Sequence, residues 1–506
     1  MSGNIGFDNE TYLAEQAAAI LRRAQENGNK LYLEFGGKLM QDLHAARVLP
    51  GYDPNVKLRL LQGLKDSAEI VLCIYAEDIE RKKIRADFGI SYESEALKLI
   101  DELRKWGLEI NAVVITRFTG QLAAKRFRTR LESNGIKVYC HPKTQGYPTN
   151  VDVIVSEEGY GQNEFVETRR PIVVMTGPGP GSGKLATCFS QLYHEYKAGR
   201  VAGYAKFETF PVWDMALSHP LNVAYEAATA DLKDQNMVDP YHLQAYGKVA
   251  INYNRDVEAF PLLRAIWQKM TDKPCPYKSP TDTGVNCITS GIIDEAIVSG
   301  AAQQEVIRRY FRHLSEHRSG QIEKGIVERI DEIMLRLSLV PEDRDVVLPA
   351  RQAGHDAMLH GKGRSGIFCG AGIRLKDGRI VTGKNSEQLH AAASVVLNAI
   401  KVLAGIPDQI HLIAPDVVRH IVRMKQDILK GEYSSLNLDE ALIGLAVSCT
   451  TNPTAQVAIE RLIELRDCEM HMTHIVTPGD EAGLRRLGVR CTCDPFFASA
   501  ELFVNA

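Results

Sequence analysis

A chain of 506 residues, 45% hydrophobic and 24% charged, has the make-up of an ordinary globular protein with material for about two to four domains. Its 60 basic and 63 acidic residues leave a formal charge of −3, which excludes the basic excess of a dedicated nucleic-acid binder and points to a small molecule or another protein chain as partner. Residues 1–25 are polar and helix-like, and no run approaches the ~18 apolar residues of a spanning helix, so a cytoplasmic protein without a membrane partner is expected. The ten cysteines form no C-x-x-C pair and read as buried thiols.

After an amphipathic N-terminal helix, apolar runs recur at 31–35, 70–76, 112–116, 136–140, 151–155 and 172–175, most of them separated by helix-like segments. Near-continuous apolar strands alternating with helices predict a Rossmann-like, mostly parallel sheet covered on both faces. Ligands of such sheets collect beyond the carboxyl ends of the strands, here Phe35 to Lys38, Thr116 to Gly120, Ser156 to Tyr160 and Gly177 to Lys184.

The last of these, Gly177-Pro-Gly-Pro-Gly-Ser-Gly-Lys184, follows the run 172–175 and precedes an apolar-periodic helix. Strand, glycine loop, lysine and helix make a phosphate cradle of P-loop type, in which backbone N–H groups and a lysine hold the anion. The match to G-x-x-x-x-G-K-[ST] is partial: Pro178 stands at the first glycine and Leu185 at the hydroxyl that would meet magnesium, with Thr187 the nearest substitute. A plain Gly/Pro-rich connection is the alternative. In the helix beyond Gly120, Lys125, Arg126, Arg128 and Arg130 spread around the axis and read as a solvated face.

From 202 to 280 the composition turns to polar and aromatic clusters. His219-Pro220 opens a helix on which Asn222, Glu226 and Thr229 share a face, and Asn252 to Asp256 and Ser279 to Asn286 are loops rich in hydrogen-bonding groups. Glu208, Glu226 and Asp256 are the candidate acid/base groups. Gly177, Gly179, Gly181, Ser182, Gly183, Lys184 and Thr187, with Asn254 and Arg255, are the candidate ligand contacts. The region 303–339 is helical, and Ile322, Ile326, Ile330, Ile333 and Leu337 form an apolar stripe suited to packing or to a homo-oligomer. Pro341 to Asp345 is the candidate linker.

Farther on, Gly370 to Asn385 alternates around Asp377-Gly378, a hairpin, and a helix opens near His390-Ala391-Ala392. Hairpin followed by a His-Ala helix resembles the start of the cytidine-deaminase fold. Ala392 stands where the catalytic Glu is required, and Ser448-Cys449 is the only remnant of the second zinc motif, so the resemblance implies the fold and not the activity. Cys468, His471, His474, Cys491 and Cys493 read as structural, and His194-Glu195-Tyr-Lys-Ala198 lacks the second histidine of a zinc protease. No metal is expected and no cofactor is identified.

Several longer segments, among them Gly159-Tyr-Gly-Gln-Asn163, Ala205-Lys-Phe-Glu-Thr-Phe-Pro211, Ala224-Tyr-Glu-Ala-Ala-Thr-Ala-Asp231, Asn252-Tyr-Asn-Arg-Asp256 and Ser279-Pro-Thr-Asp282, resemble a bacterial family known only as domain of unknown function 1846, across essentially the whole chain. The resemblance implies no reaction. The expected organisation is a Rossmann-like α/β domain over 1–240, a mostly helical region over 241–341 and a deaminase-like α/β domain over 342–506. The expected function is binding of a phosphorylated small molecule or nucleotide. A non-catalytic oligomeric sensor or scaffold is the alternative, and a metal-dependent hydrolase the third.

Overall fold

The computed structural model describes residues 5–85, 90–232, 234–364, 366–431 and 434–499. The chain forms two compact units, Met1–Gln303 and Gln304–Ala506, so the stretch expected as a helical middle region is shared between them.

The first unit opens with helix α1 (Asn9–Glu26), whose N-cap Asp8 accepts the N–H groups of Glu10 and Thr11. Six strands then build one parallel sheet: β1 (Leu31–Phe35), β2 (Ala68–Tyr75), β3 (Ile110–Thr116), β4 (Lys137–His141), β5 (Ile172–Thr176) and β6 (Gly203–Phe207), in the spatial order β4-β3-β2-β5-β1-β6. All five residues of β1 and of β5 are buried, as the centre of a sheet covered on both faces requires. Helix α2 (Lys184–Lys197) follows β5, and its Cys188, Phe189 and Leu192 pack with Tyr32, Val71, Cys73, Val173, Met175 and Tyr204 on one sheet face. Burying side chains of this size contributes roughly 1.5–3 kcal/mol each.

Two expectations need correction. Residues 151–155 are not a strand: Val151–Ile154 is a short helix, because the Asn150 side chain accepts the Val153 N–H and caps it. The turn from Ser156 to Tyr160 is therefore not a strand end. The sixth strand is β6, which pairs with β1 from Leu31↔Gly203 to Phe35↔Phe207. Its outer edge is covered where the Val285 N–H donates to the Lys206 carbonyl.

Beyond β6 come helix α3 (Pro220–Ala228), a small antiparallel pair of β7 (Asn236–Val238) and β8 (Ile251–Tyr253), and helix α4 (Asn254–Thr271). The polar face of α3 is structural at Asn222, whose fully buried amide bonds the backbone of Val212 and Ala216.

At the end of β4, His141 is 3% exposed and its Nε2–H donates to the Glu164 carbonyl. Burial pushes its imidazole down to about 4. The unfolded chain therefore takes a proton near pH 6.5 that the folded chain refuses until about pH 4, so the His141 contribution is complete above pH 6.5 and is lost as pH falls through that window. The expected loss is about 3 kcal/mol between pH 7 and 4. Urea unfolding of wild type and His141→Gln at both pH values checks it, the variant showing a flatter dependence.

In the second unit, helix α5 (Glu295–Arg318), which carries the boundary, and helix α6 (Lys324–Arg336) make up most of the helical stretch expected over 303–339. Ile330 and Ile333 of the apolar stripe are buried. Pro341–Asp343 is a 3-10 turn, and Arg344 after it is 1% exposed, paired with Glu469 at 2.6 Å and donating to the carbonyls of Met470 and Arg490. The hairpin is present as β9 (Gly370–Arg374) and β10 (Ile380–Lys384), followed by helix α7 (Ala391–Ala404). With β11 (Glu469–Met472) and β12 (Arg490–Cys493) the sheet order is β10-β9-β11-β12; β9 is antiparallel to both neighbours and β11 is parallel to β12. All ten cysteines are free thiols. Among the described residues no helix is long and apolar enough to cross a membrane.

Candidate functional site

Because the six strands are parallel, their carboxyl ends share one edge of the sheet. The chain leaves β2 toward β3 on one side and leaves β5 toward β6 on the other, so the glycine loop after β5 sits at a topological switch point.

The loop is shaped by close approach. A Cβ on Gly177 would lie 2.5 Å from the Cys73 carbonyl oxygen and 2.5 Å from Ser182 Oγ. Gly179 packs against the Tyr92 ring and Gly181 is exposed at the tip. Gly183 takes φ +92° as the N-cap of α2, and a Cβ there would meet the Thr116 side chain at 2.8 Å. Thr116 Oγ1 donates to the Ser182 carbonyl at 2.8 Å. The Arg117 guanidinium lies 3.4 Å over the Tyr75 ring and donates to the Gly181 carbonyl.

Inside this frame Ser182 is 2% exposed, and its hydroxyl has no hydrogen-bond partner among the described residues. An orphaned buried hydroxyl costs about 1–3 kcal/mol, which a ligand oxygen would recover. Lys184 opens the helix half-buried, with no ion-pair partner among the described residues. Burial pushes the Cys73 thiol up to about 12, with a hydrogen bond from Thr187 and then the Lys184 charge opposing the rise. Thr187 does not face the loop mouth: its hydroxyl donates back to the Gly183 carbonyl at 3.0 Å, the usual i−4 bond of a helical threonine.

Gly177→Ala is expected to destabilise the unit by about 1–3 kcal/mol, because the methyl meets a carbonyl that cannot rotate away. Urea unfolding measures it.

A second polar centre lies at the end of β6. Lys206 Nζ is 2.6 Å from Asp256 Oδ2 and 3.2 Å from Glu208 Oε2, and it donates to the Tyr253 hydroxyl. That hydroxyl donates to Glu208 Oε2 at 2.6 Å. Burial works against the charged lysine, yet the carboxylates of Asp256, Glu208 and Glu34 outweigh it and hold its pKa above the ordinary value. Burial raises Glu208; Lys206 opposes the rise and Asp256 adds to it. Lys206, Glu208 and Asp256 floor a cavity of about 580 Å³, walled also by Trp213, His242 and Tyr246.

The expected site residues thus fall in three places. The glycines, Ser182 and Lys184 form the loop; Glu208 and Asp256 line the cavity, whose walls include no loop residue. Glu226, Asn254 and Arg255 are outside both: Glu226 is 7% exposed on α3, Asn254 Oδ1 accepts the Gln235 N–H, and Arg255 pairs with Asp234 at 2.6 Å. Loop and cavity end strands two apart, about 10 Å between axes, with β1 between them.

Residues 5–338 match the N-terminal domain, and residues 342–503 the C-terminal domain, of domain of unknown function DUF1846. The chain belongs to the DUF1846 family. Among its relatives are UPF0371 proteins of Clostridium tetani, 53% identical over 502 residues and covering 99% of both chains, and of Clostridioides difficile strain 630, 52% identical over 501 residues and covering 99% of this chain and 100% of the relative. DUF1846 names no reaction, so chemistry in this member has to be read from its side chains. Three of those are absent from the sequence-based list: Lys206 and Tyr253, which tie Glu208 to Asp256, and Glu34 on β1. The one local signal for Glu34 is a charge inside the apolar run 31–35. Among the described residues no three His, Cys, Asp or Glu side chains gather in a set that could hold a metal ion.

Proposed function

We propose that the first unit binds a phosphorylated small molecule or nucleotide, its phosphate resting on the Gly177–Lys184 loop. The observation that carries this reading is the buried Ser182 hydroxyl in a glycine loop at the N-terminus of a 14-residue helix, next to Lys184, the hydroxyl without a hydrogen-bond partner and the lysine without an ion-pair partner among the described residues. Free N–H groups at such a terminus and the positive end of the helix dipole favour an anion. The rest of the ligand extends toward the Lys206, Glu208, Tyr253 and Asp256 cluster, where a lysine held charged beside a carboxyl raised by burial suits proton transfer. A panel of pyrophosphate, ATP, GTP, NAD and sugar phosphates in a thermal-shift assay tests the proposal. Stabilisation by at least one is expected; none from any of them overturns it.

The second unit favours a different role. Its hairpin, the helix after it and a sheet with one strand antiparallel to its neighbours support a deaminase-like topology. The fully buried Ala392 leaves no carboxylate at the position where that chemistry needs one, and His390 Nδ1 is held by Asp480 at 2.7 Å. This argues for ligand sensing or scaffolding by the second unit.

A further inference from the structure

A phosphate cradle alone does not say whether its ligand carries a metal. In magnesium–phosphate sites the ion keeps several waters and takes one or two carboxylates together with phosphate oxygens, rather than a cage of protein ligands. One well-placed acid therefore suffices, and the strand beside the loop supplies one.

β1 runs parallel to β5 with Glu34 opposite Met175, two residues before Gly177. Tyr32 and Glu34 stand opposite Tyr204 and Lys206 on β6, and Tyr32 and Tyr204 belong to the core beneath α2, so Glu34 points to the face from which α2 and Lys184 rise. It is 9% exposed; the Tyr204 hydroxyl donates to its Oε2 at 2.8 Å, and its Oε1 has no hydrogen-bond partner among the described residues. Burial drives the Cys188 thiol far up; Glu34 drives it further and Lys184 opposes, so both charges act on one sulfur atom. The acid and the loop lysine are thus both near enough to act on the same buried thiol.

The geometry points to Glu34 as the metal-facing acid of a site for a polyphosphate chelated by a divalent cation. The Gly177–Lys184 loop takes the phosphates, and the Glu34 carboxylate holds the cation directly or through its waters. The inference rests on the phosphate-site reading and narrows its ligand from any phosphate ester to a metal–polyphosphate, either a nucleotide or an inorganic chain.

Calorimetric titration of the full chain with pyrophosphate, ATP and GTP, each with and without Mg²⁺, tests it in wild type, Glu34→Gln and Lys184→Ala. In wild type Mg²⁺ is expected to tighten binding by about tenfold or more, whereas Glu34→Gln loses the enhancement. A preference for ATP or GTP over pyrophosphate identifies a nucleotide; equal affinities identify an inorganic chain. Magnesium-independent binding in wild type, or equal enhancement in Glu34→Gln, overturns the inference and leaves the phosphate site standing. No binding of any of the three ligands by wild type overturns both. If Glu34→Gln does not fold, crystals of wild type grown with Mn²⁺ and pyrophosphate decide: anomalous density beside Glu34 supports the assignment, and manganese only elsewhere overturns it.

Discussion

Lys184→Ala is expected to weaken pyrophosphate binding by about 10- to 100-fold, the equivalent of the roughly 1.5–3 kcal/mol of a hydrogen bond to a charged group. Lys184 is the first residue of α2, half-buried and without an ion-pair partner among the described residues. Its removal leaves the backbone cradle intact, and alanine is the better helix former, so the melting temperature should hold or rise slightly. What is lost is one charge at the mouth of the loop. The remaining affinity, supplied by N–H groups and the helix dipole, should fall less steeply with added salt than that of wild type. Lys184→Arg keeps the charge and should retain most of the affinity. Equal binding by wild type and Lys184→Ala would place the phosphate somewhere else.

Lys206→Met should lower stability by about 3–5 kcal/mol, the cost of breaking a buried ion pair. The ammonium stands 2.6 Å from Asp256 and 3.2 Å from Glu208, with the three side chains 13%, 24% and 19% exposed, so its loss leaves two carboxylates in one poorly solvated site. They then resist ionising together, and their folded-state pKa values rise above those of the unfolded chain. Groups raised in this way are stabilising below their unfolded pKa and lose that contribution as pH rises through the folded value. The deficit should therefore be larger at pH 8 than at pH 5, and Lys206→Met combined with Asp256→Asn should recover part of it. Urea denaturation at both pH values measures this; a deficit under about 1 kcal/mol, or one independent of pH, would mean that Lys206 does not neutralise the pair.

Much of the first unit was legible because parallel strands buried on both faces announce themselves as apolar runs, and five of the six sheet strands did so. Residues 151–155 misled because a short β-branched run has the same periodicity in either state; one side-chain bond from Asn150 decided for helix. β6 escaped notice since Gly203 and Lys206 interrupt its pattern, and only its pairing with β1 makes it a strand. In the second unit the hairpin was readable from Asp377-Gly378, whereas Arg344, in what looked like a linker, found its partners more than a hundred residues away.

The same distinction runs through the site. The glycine loop is local chemistry, written in eight consecutive residues. Glu34 is not, because its meaning depends on β1 lying beside a strand about 140 residues later, and no spacing along the chain encodes that neighbour. Asn222 and Glu226 showed a polar face correctly, but whether such a face meets ligand, solvent or backbone is settled by packing; for Asn222 the answer is the backbone of Val212 and Ala216.

The central claim is that the loop between β5 and α2 holds a phosphate, and a crystal of the full chain grown with pyrophosphate tests it most directly. The account predicts phosphate density within hydrogen-bond reach of the Gly183 and Lys184 N–H groups, Ser182 Oγ and Lys184 Nζ. Pyrophosphate bound only elsewhere on the protein, with the Ser182 hydroxyl still without a partner, would contradict it.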